Sequence, residues 1–264
     1  MFKIILLAIA SLTLFSCLTA PVPAKPIRAL LLTGGCCHDY KAQAKVIQKF
    51  TSDKINISWD VINEGGKGSN HKFAIYSEKD WAKRYDVVVH NECFARTNDD
   101  KFIKKIVADH LEAGVGVIVV HCAMHTFRDG KEGTDEWCKL IGLKSRTHEH
   151  QAEYAVENIN ATHPIMKGFP QVWQAPVDEL YVVSKPGPKM VPLARAFGER
   201  TKKFHTCIWT NELEDSKIFG ITFGHNTSTM EAKVFQGVFN RGLLWTTGHL
   251  TSKGEAEAGY EAKK

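Results

Sequence analysis

The chain has 264 residues, 44% of them hydrophobic and 24% charged, with a formal net charge of +5 at pH 7. That length supports a substantial core without a disulfide framework, and the composition is that of an ordinary globular protein. Lys and Arg are scattered, with no basic stripe and no interleaved aromatics, which argues against nucleic-acid binding.

Residues 1–24 are set aside from the fold. Lys3 gives a short positive start, and residues 4–18 are mostly apolar but too short for a comfortable membrane span. Two endings fit. Val22-Pro23-Ala24 offers small residues for signal-peptide cleavage, and Leu14-Phe15-Ser16-Cys17 resembles a lipobox in which Cys17 carries lipid. Either ending predicts export, to a periplasmic or lipid-anchored location, with membrane association only through that anchor. The domain itself is expected over residues 25–250, followed by a polar tail.

Residues 27–33 read as the first strand, running into Gly34-Gly35-Cys36-Cys37-His38-Asp39-Tyr40. The glycines permit a tight turn, and Asp39 can cap a helix over residues 40–51. This is neither a dinucleotide nor a phosphate-loop fingerprint. A second strand is expected over 55–62 and a third over 85–89, the latter ending in His90-Asn91-Glu92. Thr97 and Asn98 open a helix with Phe102, Ile103, Ile106, Val107 and Leu111 on its apolar face, and Gly114 stops it. Residues 115–120 form an apolar run suited to a strand covered on both faces. Polarity then switches at His121, Cys122 and His125. Alternating strands and helices at this spacing give βαβ units and a parallel sheet, and ligands of such sheets bind beyond the carboxyl ends of the strands.

Beyond Arg128, a short helix over 135–141 closes at Gly142, and His148-Glu149-His150 leads into a strand over 151–157. Asp178-Glu179-Leu180-Tyr181 precedes a strand at Val182-Val183, and residues 190–197 are expected to pair beside it. Residues 207–210 and 217–223 read as a hairpin that ends in Gly224-His225. Ser228 and Glu231 have capping-box spacing before a final helix ending near Gly248. From Thr251 the polar tail is expected to fray. Of seven cysteines, Cys17 lies in the leader; spacing does not dictate any pairing among the rest, and buried free thiols are the simplest reading for most of them.

Several pieces together resemble the ThuA-like (trehalose-utilisation) family: GGCCHDY, VVVHNE, VIVVHCAMHTF, ATHPIMKGFP, DELYVV, CIWTNELEDSKIFGITFGHN and GLLWTTG, in family order over residues 27–248. The resemblance implies an α/β, flavodoxin-like three-layer sandwich related to class I glutamine amidotransferases, with a mainly parallel central sheet and a C-terminal hairpin plus helix. It also implies a link to catabolism of trehalose and related sugars, with a carbohydrate as small-molecule partner and a sugar oxidoreductase in the same pathway. His121, His125, Glu179 and His225 carry over as catalytic candidates; His38, Asp39, Asn91, Glu92 and His150 follow as substrate-binding candidates. The hairpin before His225 departs from the family in lacking a Gly-rich turn.

Three chemistries fit these residues. A keto-sugar has an acidic C–H beside its carbonyl, which calls for a base (Glu179 or a His) and a group that holds the enolate oxygen. That group would be His121 and His125, directly or through a divalent metal such as zinc, with His225 or His38 completing the ligand set. Taken one at a time, His121 or His125 is more simply a residue that satisfies nearby backbone groups. Cys122 with His225 would instead make a thiol hydrolase, but HCA is not a Gly-flanked nucleophile elbow, and a small buried Cys is the better reading. A non-catalytic sugar-binding module using Trp173, Trp209 and Tyr181 is the third. The sequence leaves the oligomeric state open.

Overall fold

The computed structural model describes residues 24–263. The leader, including Cys17 and most of the cleavage motif, lies outside the described residues. Nine strands form one sheet: β1 (Ile27–Gly35), β2 (Ile57–Asn63), β3 (Val87–Cys93), β4 (Gly116–Val120), β5 (Leu143–Asn158), β6 (Val172–Pro186), β7 (Val191–Gly198), β8 (Lys203–Leu213) and β9 (Ser216–Ile221). Their order is β2-β1-β3-β4-β9-β8-β7-β5-β6. The first five in that order pair in parallel, and the remaining pairings are antiparallel. The α/β sandwich is the one expected, with an antiparallel half larger than the terminal hairpin read from the sequence.

The continuous apolar strands are explained by helices on both faces. Ala29, Leu31, Val87, Val89, Ile118 and Val120 pack on one face against Ala44, Ile47 and Phe50 of α1 (Tyr40–Ser52) and Val238, Phe239 and Leu243 of α5 (Lys233–Thr246). The alternate residues face the other way. Val117 and Val119 meet Ile103 and Val107 of α2 (Asp100–Ala113) and Trp137 and Leu140 of α3 (Glu132–Ile141). Leu30, Leu32 and Val88 meet Ile106 and Trp81. Burying one such side chain on each face contributes about 2 kcal/mol, so each central strand is held from both sides.

Two local expectations are corrected. Ser228 and Glu231 do not form a capping box: they lie inside a separate short helix, α4 (Thr227–Glu231), whose N-cap Asn226 makes no side-chain cap bond. The tail does not fray. Ile55 bridges Glu261, Asn56 N donates to Tyr260 O at 2.9 Å, and the Tyr260 ring stacks on His249 at 3.5 Å. Its one aromatic residue anchors an otherwise polar segment. Among the described residues, no helix is long and apolar enough to cross a membrane.

Candidate active site at the carboxyl edge of the sheet

The parallel strands β1, β3, β4 and β9 end on one edge, and each delivers a side chain there. After β1 the backbone passes through Gly34 (φ 134°) and Gly35 (φ 103°), where a Cβ would lie 2.0 Å from Glu64 O and 2.6 Å from Cys93 O. Only glycine allows that close approach, and it brings His38 over the sheet edge. Asp39 caps α1, accepting from Ala42 N at 3.0 Å. After β4 the chain enters a tight turn, His121–His125, with His121 itself left-handed (φ 47°). Such a backbone costs a non-glycine residue about 1–3 kcal/mol and is kept where surrounding contacts over-determine it. Here His121 Nδ1 lies 2.7 Å from Thr222 O, which makes that nitrogen the N–H donor and leaves Nε2 as an acceptor. Past β9, Gly224 turns the chain into His225.

The hairpin β5–β6 starts at the far edge of the sheet but is interrupted by four register irregularities. These bend it back so that Glu179, paired with Gln151, reaches the histidines. Glu179 Oε2 lies 3.3 Å from His225 Nδ1, 3.6 Å from His121 Nε2 and 3.7 Å from His148 Nδ1. The rings of His38, His121 and His225 stand almost perpendicular to one another, with centroids 4.6 to 5.5 Å apart. Above them opens a cleft of about 400 Å³, lined in part by Cys37, Arg96, Arg128, His148 and Tyr181. A second hollow of about 550 Å³, bordered by Lys67 and Asn226, shares Cys37, His38 and His225 with it. Together they offer room for a sugar-sized ligand.

Burial sets the charge states. It pushes His38 down to about 3, helped by the neighbouring His121 and His225, and pushes His121 down to about 4. Both are neutral at physiological pH. His225 is raised by Glu179 beside it. Burial alone would raise Glu179, but the adjacent His225, His121 and His148 outweigh it and hold the carboxyl down to about 2. The site therefore combines an ionised carboxylate, an imidazole raised toward protonation and two neutral imidazoles.

Other candidates fall elsewhere. His125 is buried, with Nε2 3.0 Å from Ser145 Oγ and its ring stacked on Tyr181 at 4.2 Å; burial pushes it down to about 3. It borders the cleft but does not join the three perpendicular rings. Asn91 is buried and donates to Gln43 Oε1 at 3.2 Å. Glu92 lies on the opposite face of β3, wholly buried, with Oε1 3.1 Å from His90 Nδ1. Strand alternation separates it from Cys93, which lines the cleft. His150 is exposed and outside the cleft because the irregularity between His148 and Gln151 turns those two residues, not His150, toward Glu179. Cys122 is bonded to Cys93, so the pair is a disulfide and not two free thiols. In this state Cys122 has no thiolate with which to attack, and burial with the adjacent Cys36 pushes the Cys37 thiol up to about 11.

Sequence reasoning missed the residues that hold the site together. Asp178, fully buried, accepts from the backbone N–H groups of Glu179 (2.8 Å), Gly224 (3.1 Å) and His225 (3.1 Å), tying β6 to the end of β9. Gln43 donates to Gly224 O at 2.9 Å, and the Gln151 amide sits 3.0 Å from His225 Nε2. Tyr181, read from the sequence as a sugar-stacking residue, instead has its OH 3.4 Å from His121 Nε2. A carboxylate adjacent to Glu179 in an otherwise apolar strand was the available signal for Asp178.

This architecture recurs among known proteins. The chain is similar to a ThuA-like protein from Parabacteroides merdae ATCC 43184 (TM-score 0.64, 20% identity, covering 90% of this chain and 98% of that one). It is also similar to a ThuA-like protein from Bacteroides uniformis ATCC 8492 (TM-score 0.62, 15% identity, 88% and 96% covered). A GMP synthase component from Thermoplasma acidophilum shares the fold more distantly (TM-score 0.51, 9% identity, 85% and 96% covered). These identities speak to the fold alone. No curated protein sequence matches the chain. The family model ThuA, trehalose utilisation, matches residues 28–246, from β1 to the last turn of α5, and the chain therefore belongs to the ThuA family.

Proposed function

We propose that this protein is an exported enzyme of carbohydrate catabolism that moves a proton beside the carbonyl of a keto-sugar, using the Glu179–His225 pair. The observation that carries the reading is the Glu179 carboxylate set 3.3 to 3.7 Å from three imidazoles at the floor of a polar cleft. Proton abstraction next to a carbonyl needs a base within reach of the carbon and a donor for the oxygen that becomes negative. Glu179 with His225 supplies the proton-transfer pair. His148 and Tyr181, on the cleft wall, can donate to the oxygen, while His121 and His38 fix the position of the pair from beneath. Arg96 and Arg128 at the rim would favour the developing negative charge. A sugar oxidoreductase would supply the keto-sugar, and the leader motifs of residues 1–24 support export.

The test is solvent deuterium exchange. Keto-disaccharides and keto-monosaccharides are incubated with the protein in D2O, and the carbon-bound hydrogens beside the carbonyl are followed by NMR. Catalysed exchange, abolished in Glu179→Gln, is the expected result. Saturable sugar binding without exchange would replace this reading with a non-catalytic sugar-binding module.

A further inference from the structure

We propose that His38, His121 and His225 hold a divalent transition-metal ion, with Zn2+ the first candidate, at the floor of the cleft. One candidate ligand atom from each residue lies within 4.8 Å of the other two. A tetrahedral zinc site with three imidazoles needs its nitrogens about 3.3 Å apart, so binding draws them together by about 1.5 Å at most. The three rings stand nearly orthogonal with centroids 4.6 to 5.5 Å apart, and His38 and His225 also line the cleft. That arrangement leaves the side toward the cleft open, as a catalytic site requires.

Two further observations point to a ligand. His38 Nδ1 is buried with no hydrogen-bond partner among the described residues, and His225 Nδ1 faces only the Glu179 carboxylate, at 3.3 Å. Buried polar atoms are rarely left so, and a bound ion is one of the few things that satisfies a ring nitrogen from the acceptor side. The outer contacts also suit metal ligation. Thr222 O takes the Nδ1–H of His121 and directs its Nε2 lone pair inward, and the Gln151 amide engages His225 Nε2, leaving Nδ1 facing the cluster. Asp178 clamps the backbone of His225. Glu179 Oε2, 3.3 and 3.6 Å from ring nitrogens of His225 and His121, is placed as a fourth ligand or as the base beside a metal-bound oxygen. His125, bonded to Ser145, is not in the set, which revises the ligand group expected from the sequence.

The inference rests on the same cleft as the keto-sugar reading but not on its chemistry. With a metal bound, His225 gives its lone pair to the ion and Glu179 alone carries the proton. The purified full chain is stripped with chelator, reloaded separately with Zn2+ and Co2+, desalted and measured by elemental mass spectrometry and visible absorption. We expect about one metal per chain, a Co2+ spectrum of low coordination number, and a melting temperature raised by zinc. His121→Ala and His225→Gln should each weaken binding at least about tenfold, whereas His125→Ala should keep full occupancy. Because His121 is buried and its variant can lose stability, the half-buried His225→Gln is the variant that decides, with its fold checked by circular dichroism. Failure of the stripped wild-type chain to take up stoichiometric metal, or undiminished uptake by folded His225→Gln, overturns the proposal. Neither result depends on turnover, so loss of the metal site and loss of the keto-sugar reading are separately visible.

Discussion

Asp178 shows how much a single buried carboxylate can organise. It touches no part of the cleft, yet three backbone N–H groups from two distant segments converge on it. An amide in its place presents one acceptor oxygen and turns an NH2 toward donors. Hydrogen bonds to a charged group contribute about 1.5–3 kcal/mol each. Asp178→Asn should therefore lower stability in urea unfolding by about 2–3 kcal/mol and disorder His225, which NMR of the histidine side chains would show. His110 sets a second residue-level expectation. It is wholly buried; its Nε2 is 3.1 Å from His90 Nε2, and His90 in turn meets Glu92. Burial, reinforced by His90, pushes His110 down to about 3. The unfolded chain binds this proton at the ordinary histidine pKa and the folded chain does not. Its effect is thus absent above about pH 6.5, and stability falls as pH drops from there toward about 3. Urea midpoints across that range should show a shallower acid slope in His110→Gln than in the wild type.

At the scale of elements, the loops after the parallel strands carry the site, and their geometry is fixed by a few positions. Gly34→Ala would drive a Cβ to 2.0 Å from Glu64 O on a backbone at φ 134°. A loss of at least about 2 kcal/mol is expected in denaturant unfolding, with His38 displaced. The Cys93–Cys122 bond ties the end of β3 to the turn after β4 across 29 residues. Closing a loop of that size stabilises the fold by about 3.5 kcal/mol. Mass mapping under non-reducing conditions should recover the linked peptides, and reductant should lower the unfolding midpoint accordingly. These elements also mark where sequence reading succeeds. The strands β1, β3 and β4 and helix α2 are legible because an apolar run or a 3.6-residue period with caps is a local signal. His38, His121, Glu179 and His225 are legible as candidates, the last two through family motifs. Their meeting is not, because it depends on irregularities in β5–β6 that bend a long hairpin over the sheet edge. His148 is overlooked in favour of His150 for the same reason: a shifted register reverses which residues face the site, and no local pattern announces the shift. The disulfide partner of Cys122 is hidden likewise, since it is set by strand adjacency and not by spacing along the chain.

For the whole molecule, the polar tail is part of the fold. Residues 251–263 return to the β2 end of the sheet through the Ile55–Glu261 bridge, and Ala262 N donates to Lys54 O at 3.0 Å. Truncation after residue 250 should lower stability by about 1–2 kcal/mol in thermal or urea unfolding, whereas removal of a frayed segment would leave it unchanged. The strand order carries a further consequence, for how the chain acquires its shape. β4, the hydrophobic centre of the sheet, is completed by β9, nearly a hundred residues later in the sequence. Until Ser216–Ile221 has arrived, β4 presents a bare apolar edge, the kind of surface on which partly folded chains pair with one another. Assembly of this protein is therefore governed by non-local contacts and should be slow for its size. Its exposure to aggregation ends only when one six-residue strand slots between the two halves of the sheet.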